Sequence, residues 1–253
     1  GCRRRRTGIR TGCLRHGVQG CGEGLLAAVS REDKLGGRRD LIAGINHMAW
    51  LLEVEANDGS DLYHEIRRRA REMNGREKHK DMVRFDYIDK LGYYCTESSE
   101  HNAEYNPYYI KSRYPELIEA YNIPLDEYPR RCIRQIEGWQ AEYQGLAAKE
   151  TLEHTRSSEY ASYIMEAMVT DRPYKLGGNV LNGGGLIENL PPTACVEVPC
   201  MVDSLGIHPT YIGMLPPHLA AMNMPHINVH ALTIAAAVTG KREPVYHTAP
   251  LDT

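Results

Sequence analysis

The sequence is poor in aromatics other than tyrosine: one phenylalanine and two tryptophans stand against sixteen tyrosines in 253 residues. Aromatic packing therefore falls to tyrosine, which brings apolar area together with a hydroxyl that can bind sugars or move protons. No run approaches the roughly 18 consecutive apolar residues of a membrane span, and the N-terminal arginines come without the apolar segment of a signal peptide. Neither a membrane partner nor export is expected. A basic excess is also missing, with a formal net charge of −3, so no nucleic-acid partner is expected for the chain as a whole. Cysteines stand at positions 2, 13, 21, 95, 132, 195 and 200. They form no C-x-x-C pair and no even framework of the secreted kind, which points to a reducing, cytoplasmic compartment. With 42% hydrophobic residues there is enough apolar material for a real core.

Residues 1–15 scatter six arginines among glycines and cysteines, and the first acidic residue is Glu23. A basic arm is one reading; a disordered or aberrant leader fits the composition better. Gly20, Gly22 and Gly24 alternate ahead of an apolar stretch, but no hydrophobic strand precedes them and the spacing is not that of a dinucleotide fingerprint.

The chain centres on Gly44-Ile45-Asn46-His47-Met48-Ala49-Trp50. Apolar runs enter and leave it, so residues 40–55 read as two strands with Asn46 and His47 as a polar pair inside otherwise buried strand. Two readings stay open: a hydrogen-bonded core pair, or a site in which the imidazole meets a metal or substrate. A turn at 57–60 leads to a helix expected to reach about Met73, then a loop over 74–80. Val83, Tyr87 and Leu91 mark a second helix that stops at Gly92. The stretch 93–105 that follows is dense in polar and aromatic side chains. Residues 115–163 read as a solvated helical layer. Cys195–Val202 alternates as a half-buried strand with Glu197 on its open side, and Pro225 is expected to break the helix that Pro216-Pro217 opens.

Several stretches together resemble glycoside hydrolase family 4: 16–20, 43–49, Thr96-Glu97-Ser98-Ser99-Glu100-His101 with Glu104-Tyr105, 124–129, 178–180, 185–191 and Val196-Glu197-Val198. The resemblance runs from about His16 to the last residue and, within the family, leans toward the α-galactosidases. It implies an α+β fold of mixed helices and antiparallel sheet, the C-terminal catalytic and substrate domain of a lactate/malate-dehydrogenase-like architecture. The family's doubly wound nucleotide-binding domain and its helical C-terminal tail are not recognised here, so a fragment is expected, with 1–15 as leader and 16–253 as the domain.

The chemistry that the resemblance implies is a known exception among glycosidases. NAD+ takes hydride from the sugar, a base removes the acidified neighbouring proton, the aglycone leaves by elimination, water adds and the hydride returns. A divalent metal, usually manganese, stabilises the developing charge. By resemblance His47 is a metal ligand, Asn46 orients sugar or ligand shell, and His16 is an acid or substrate contact. Tyr94 is the first choice for the base and Tyr93 the second, and Glu97, His101 and Glu104 are candidate sugar contacts. The family's second metal ligand is a cysteine at the position of Arg15, and a guanidinium does not replace a thiolate. Cys13 lies two positions away, about 6.6 Å along a strand against a metal–sulfur bond of about 2.3 Å. The cofactors implied are NAD and Mn2+, the partner a small sugar, and the full-length protein a homo-oligomer. The alternative is a non-catalytic remnant serving as an interaction domain. A zinc site from Cys13, His16, Cys21 and His47 matches no common zinc spacing.

Overall fold

A computed structural model describes residues 39–56, 58–153, 156 and 160–251. The leader, Cys13, Arg15, His16 and Cys21 lie outside the described residues. Strand β1 (Arg39–Ile45) pairs antiparallel with β2 (Met48–Glu55), Ile45 opposite Met48, with a register shift between Leu41 and Ile42. Two strands form around Asn46 and His47 as the apolar runs require. The pair is not inside buried strand, however: it is the exposed two-residue tip of a hairpin. Tight hairpin turns call for positive φ, and His47 supplies it at 64°.

Gly44 is what lets the hairpin close this tightly. A β-carbon there would sit 2.6 Å from the Met48 carbonyl oxygen and 2.7 Å from the Ala49 α-carbon, closer than real side chains approach backbone.

The remaining strands are β3 (Tyr94–Cys95), β4 (Tyr174–Leu181), β5 (Cys195–Asp203) and β6 (Gly206–Pro209). Their order is β3-β2-β1-β5-β4, with β6 also on β5, and every pairing is antiparallel. One face carries Ile42, Leu51 and Tyr94 against helices α1 (Tyr63–Arg76) and α2 (Met82–Leu91). The other carries Ile45, Trp50, Val196, Val198 and Val202, packed with Val83 and Tyr87 of α2. Gly92 ends α2 at φ 85°, donating to the Ile88 carbonyl, as its position after the apolar spacing predicts.

Helices α3 (Ser99–Tyr105), α4 (Glu116–Ala120), α5 (Glu127–Ala147) and α6 (Ala161–Thr170) follow, then α7 (Pro217–Thr239) and α8 (Glu243–Thr248). This is the mixed helix and antiparallel sheet expected.

Three local expectations change. Helix α1 runs through Arg76, shortening the loop, and the Asn74 amide donates to the Met82 carbonyl. Strand β5 buries Glu197 and Pro199 as well as its apolar side, while Cys195 and Met201 on the face of Glu197 stay exposed. Helix α7 passes through Pro225 without ending. A proline removes one intrahelical N–H, and the contacts of α7 with the sheet on either side of it, at Leu219, Met222 and Ile227, hold the helix together.

The two glycines Gly44 and Gly75 separate close packing from helix propensity. Gly44→Ala will lower the urea midpoint by an amount corresponding to about 2 kcal/mol or more, since backbone must move. Gly75→Ala, with open space around its α-carbon late in α1, will raise stability by about 0.5–1 kcal/mol.

Candidate active site

The hairpin tip is held from two sides. The buried Asn223 side chain of α7 donates to the Met48 carbonyl at 2.7 Å and accepts from the Trp50 indole at 3.2 Å. From below, the buried Arg84 guanidinium donates to the carbonyls of Cys95 at 3.1 Å and Thr96 at 3.3 Å, with Asp81 as its charge partner at 3.2 Å. The Thr96 N–H reaches the Ala49 carbonyl at 2.9 Å, which extends the β2–β3 pairing by one step. Ser98 then caps α3, its hydroxyl accepting from the His101 N–H at 3.3 Å. Glu97 lies between these anchors and is delivered to the tip.

There Glu97 pairs with His47 through Nδ1. The His47 ring stands edge-on to His101 at 6.5 Å and to Tyr105 at 6.3 Å. His101 stacks on Tyr105, 5.6 Å between centroids and 11° between planes, and its Nδ1 lies 2.8 Å from the Glu104 carboxylate. Tyr105 in turn meets His226 of α7 at 6.3 Å. Tyr105 and His226 also line a cleft of about 650 Å³ together with Tyr87, Tyr108, Tyr109 and His218. That size suits a small molecule.

On one wall of the cleft Asp86 accepts from Tyr109 at 2.7 Å, Lys90 at 2.8 Å and Tyr121 at 3.3 Å. Burial and the Asp86 carboxylate push the Tyr109 phenol far up, and burial does the same for Tyr87, so both stay neutral.

A further carboxylate stands beside this cluster. Glu197 faces Gly44 across β1 and β5. Burial, followed by the negative charge of Glu97, pushes its carboxyl up to about 7. The strand alternation placed it on an open face, whereas in the folded chain it is 8% exposed.

Of the residues expected at the site, the structure brings His47, Glu97, His101 and Glu104 together, with Asn46 next to His47 at the exposed tip. His16 lies outside the described residues. Tyr94 does not join them. Opposite Leu51 it faces the α1/α2 core, 1% exposed, with the Arg84 guanidinium 4.2 Å over its ring and its hydroxyl buried without a hydrogen-bond partner among the described residues. Burial, outweighing the nearby guanidinium, pushes its phenol far up. Tyr93 packs between Tyr63 and His218, at 5.8 and 6.1 Å. The tyrosine that does stand at His47 is Tyr105, and its four-residue spacing from His101 on a helix was the available signal.

The donors at the tip, an imidazole with a carboxylate, are of the kind that manganese accepts. Among the described residues no three His, Cys, Asp or Glu side chains converge closely enough to hold a metal ion, so further donors would have to come from outside them. No described helix is long and apolar enough to cross a membrane.

Comparison with known proteins places the chain. Residues 42–253 match the model of the family 4 glycosyl hydrolase C-terminal domain. An α-galactosidase of Bacillus subtilis (strain 168) is 55% identical over 98% of this chain and 56% of its own length. One from Rhizobium meliloti (strain 1021) is 32% identical over 90% of this chain and 47% of its own. The chain thus spans about half the length of these relatives. The same fold is found in the 6-phospho-β-glucosidase of Thermotoga maritima, solved with manganese, NAD+ and glucose-6-phosphate. It superposes with a TM-score of 0.60 at 16% identity, over 91% of this chain and 52% of that one.

The raised Glu197 carboxyl predicts a pH dependence with a definite sign. The folded state holds the proton up to about pH 7 and the unfolded chain releases it near 4.5. Stability from this group is therefore complete below about pH 4.5 and declines as pH rises through 7. In metal-free buffer Glu197→Gln will flatten the stability profile across that window and gain up to about 3 kcal/mol over the parent at pH 8, read by urea unfolding.

Proposed function

The chain belongs to glycoside hydrolase family 4, and from that membership we propose that it is the sugar-binding and metal-binding half of an NAD- and manganese-dependent α-galactosidase. The observation that carries this reading is His47. It is an imidazole held at a strained hairpin tip, paired with Glu97, beside the aromatic rings that lead into the cleft. The two curated α-galactosidases support the α-galactoside as substrate.

A bound divalent metal would supply charge stabilisation at sugar oxygens, and the nicotinamide hydride exchange. The rest is work for this chain's own side chains. Glu97 accepts the Nδ1 proton of His47 and so presents Nε2 as the free ligand atom, the usual carboxylate partner of a metal-bound histidine. Tyrosine rings in the cleft offer flat apolar surface to the carbon face of a sugar, while Asn46 at the open tip and His101 with Glu104 are placed for its hydroxyls. Tyr105 takes the role of base in place of Tyr94 or Tyr93. A base must reach the substrate and lose its proton; the Tyr94 phenol, sealed beneath the sheet, does neither, and Tyr93 packs half-buried between Tyr63 and His218 rather than at His47. His16 keeps the part of acid or substrate contact that the resemblance implies.

The test joins residues 39–253 to all of the Bacillus subtilis relative outside the stretch that matches residues 39–253, so that the segment around His16 is supplied by the relative, and assays cleavage of an aryl α-galactoside. Cleavage is expected only with both NAD+ and Mn2+, and none from the 253-residue chain alone. Tyr105→Phe will lower kcat by about 10²-fold or more, while Tyr94→Phe leaves it within a few-fold. The reverse pattern returns the base to Tyr94. A folded chimera that binds manganese and cleaves nothing overturns the enzymatic reading in favour of a non-catalytic remnant.

A further inference from the structure

A second cavity, of about 460 Å³, is lined by the start of α2, the start of α3, and α4 with the loop that follows it. It shares only Tyr121 with the cleft at the candidate active site, and its size also suits a small molecule. Its most buried charges are Asp81 and Arg84. Asp81 is 4% exposed; its Oδ1 meets the Arg84 guanidinium at 3.2 Å, while its Oδ2 is buried without a hydrogen-bond partner among the described residues. Buried polar atoms are nearly always met by a partner, and a charged one left unmet is costly. Because Asp81 lines the cavity, an occupant is placed to supply the missing donor.

The charges around the cavity divide into two groups of opposite excess. On the side of α2 and α3 stand Asp81 and Glu100 against Arg84, which leaves one carboxylate over. The Ser99 hydroxyl accepts from the Arg84 N–H at 3.0 Å and ties that wall together. On the side of the 77–80 loop and α4 stand Lys78 and Lys80 against Glu119, which leaves one cation over, since Glu119 is engaged by Lys78 at 3.2 Å. Lys80 and Glu100 have no ion-pair partner among the described residues, and they are not paired with each other. Between the two groups Ile118, Ile123 and Pro124 give the cavity an apolar wall.

We propose that this cavity binds a free α-amino acid with an aliphatic side chain. The ammonium group donates to Asp81 Oδ2 and Glu100, the carboxylate accepts from Lys80, and the side chain lies against Ile118 and Ile123. A ligand with both charges satisfies both excesses at once. Inorganic phosphate would set its charge against the buried carboxylate. A neutral sugar would leave both excesses unmatched, and Tyr121, the aromatic ring of this cavity, is already engaged by Tyr109 at 4.8 Å and Lys90 at 5.8 Å. The site does not rest on the catalytic reading.

The test titrates leucine into the 253-residue chain in metal-free buffer and follows the heat of binding. One leucine is expected per chain, and neither galactose nor inorganic phosphate in excess displaces it. Leucinamide lacks the carboxylate and isocaproate lacks the ammonium group; each will bind about tenfold more weakly or worse. Glu100→Gln and Lys80→Gln will each weaken leucine about three- to tenfold. Tyr108→Ala, on the wall of the cleft alone, will leave its affinity unchanged. Absence of leucine binding overturns the proposal and leaves the cavity to water. So does displacement by galactose or phosphate, binding of either analogue as tight as that of leucine, or indifference to both charge substitutions. Loss of binding in Tyr108→Ala moves the ligand to the cleft and overturns it as well.

Discussion

Everything at the candidate site depends on one buried side-chain amide. Asn223 reaches from α7 into the sheet and is used at both ends, accepting from Trp50 and donating to Met48. Met48 is the first residue after the tip, so this bond fixes where the hairpin turns. His226 follows three positions later on the same helix and is thereby set against Tyr105. Losing the amide would leave an indole N–H and a carbonyl buried without partners, at about 1–3 kcal/mol each. The pairing also explains why α7 tolerates Pro225: the helix is pinned to the sheet just before the missing hydrogen bond.

Around that anchor the tip stores strain and gathers negative charge. His47 occupies a left-handed backbone conformation that glycine or asparagine would adopt more easily. A histidine held there carries an imidazole to the surface at a conformational cost of about 1–2 kcal/mol, which fits a residue kept for chemistry. Glu97 and Glu197 both lie close by, and they repel one another enough to help hold a proton on the buried one. The Glu97 carboxylate beside the imidazole makes a donor pair that favours a cation, in keeping with the metal-ligand role proposed for His47.

The same stretch of sequence shows how far pattern reading reaches. The apolar runs around Asn46 and His47 mark two strands, and the glycine after Leu91 marks a helix stop; both depend only on neighbours in the chain. The choice between Tyr93 and Tyr94 is different. Strand alternation says that they point to opposite faces, but which face holds the site is set by the pairing of Tyr94 with Leu51, about forty residues earlier in the chain. That pairing sends Tyr94 under the sheet. Tyr105 reaches His47 because α3 is capped at Ser98 and packed against α2: the spacing from His101 puts both rings on one helix face, and the packing decides that this face meets His47. Glu197 was misread for a related reason: its alternation describes a face open along its length, and that face is covered at Glu197 and Pro199 while Cys195 and Met201 remain exposed.

By itself, then, the sequence determined the family, the mixed helix and antiparallel sheet, and the two strands that meet at the polar pair, since each rests on local order and spacing. Only the tertiary structure decided that the pair is a tip rather than core, that Tyr105 and not Tyr94 stands at His47, and that Glu197 is buried beside Glu97. Those outcomes depend on which strands are neighbours and what covers them. That is settled by the free energy of burying whole faces together, which no short stretch of sequence expresses.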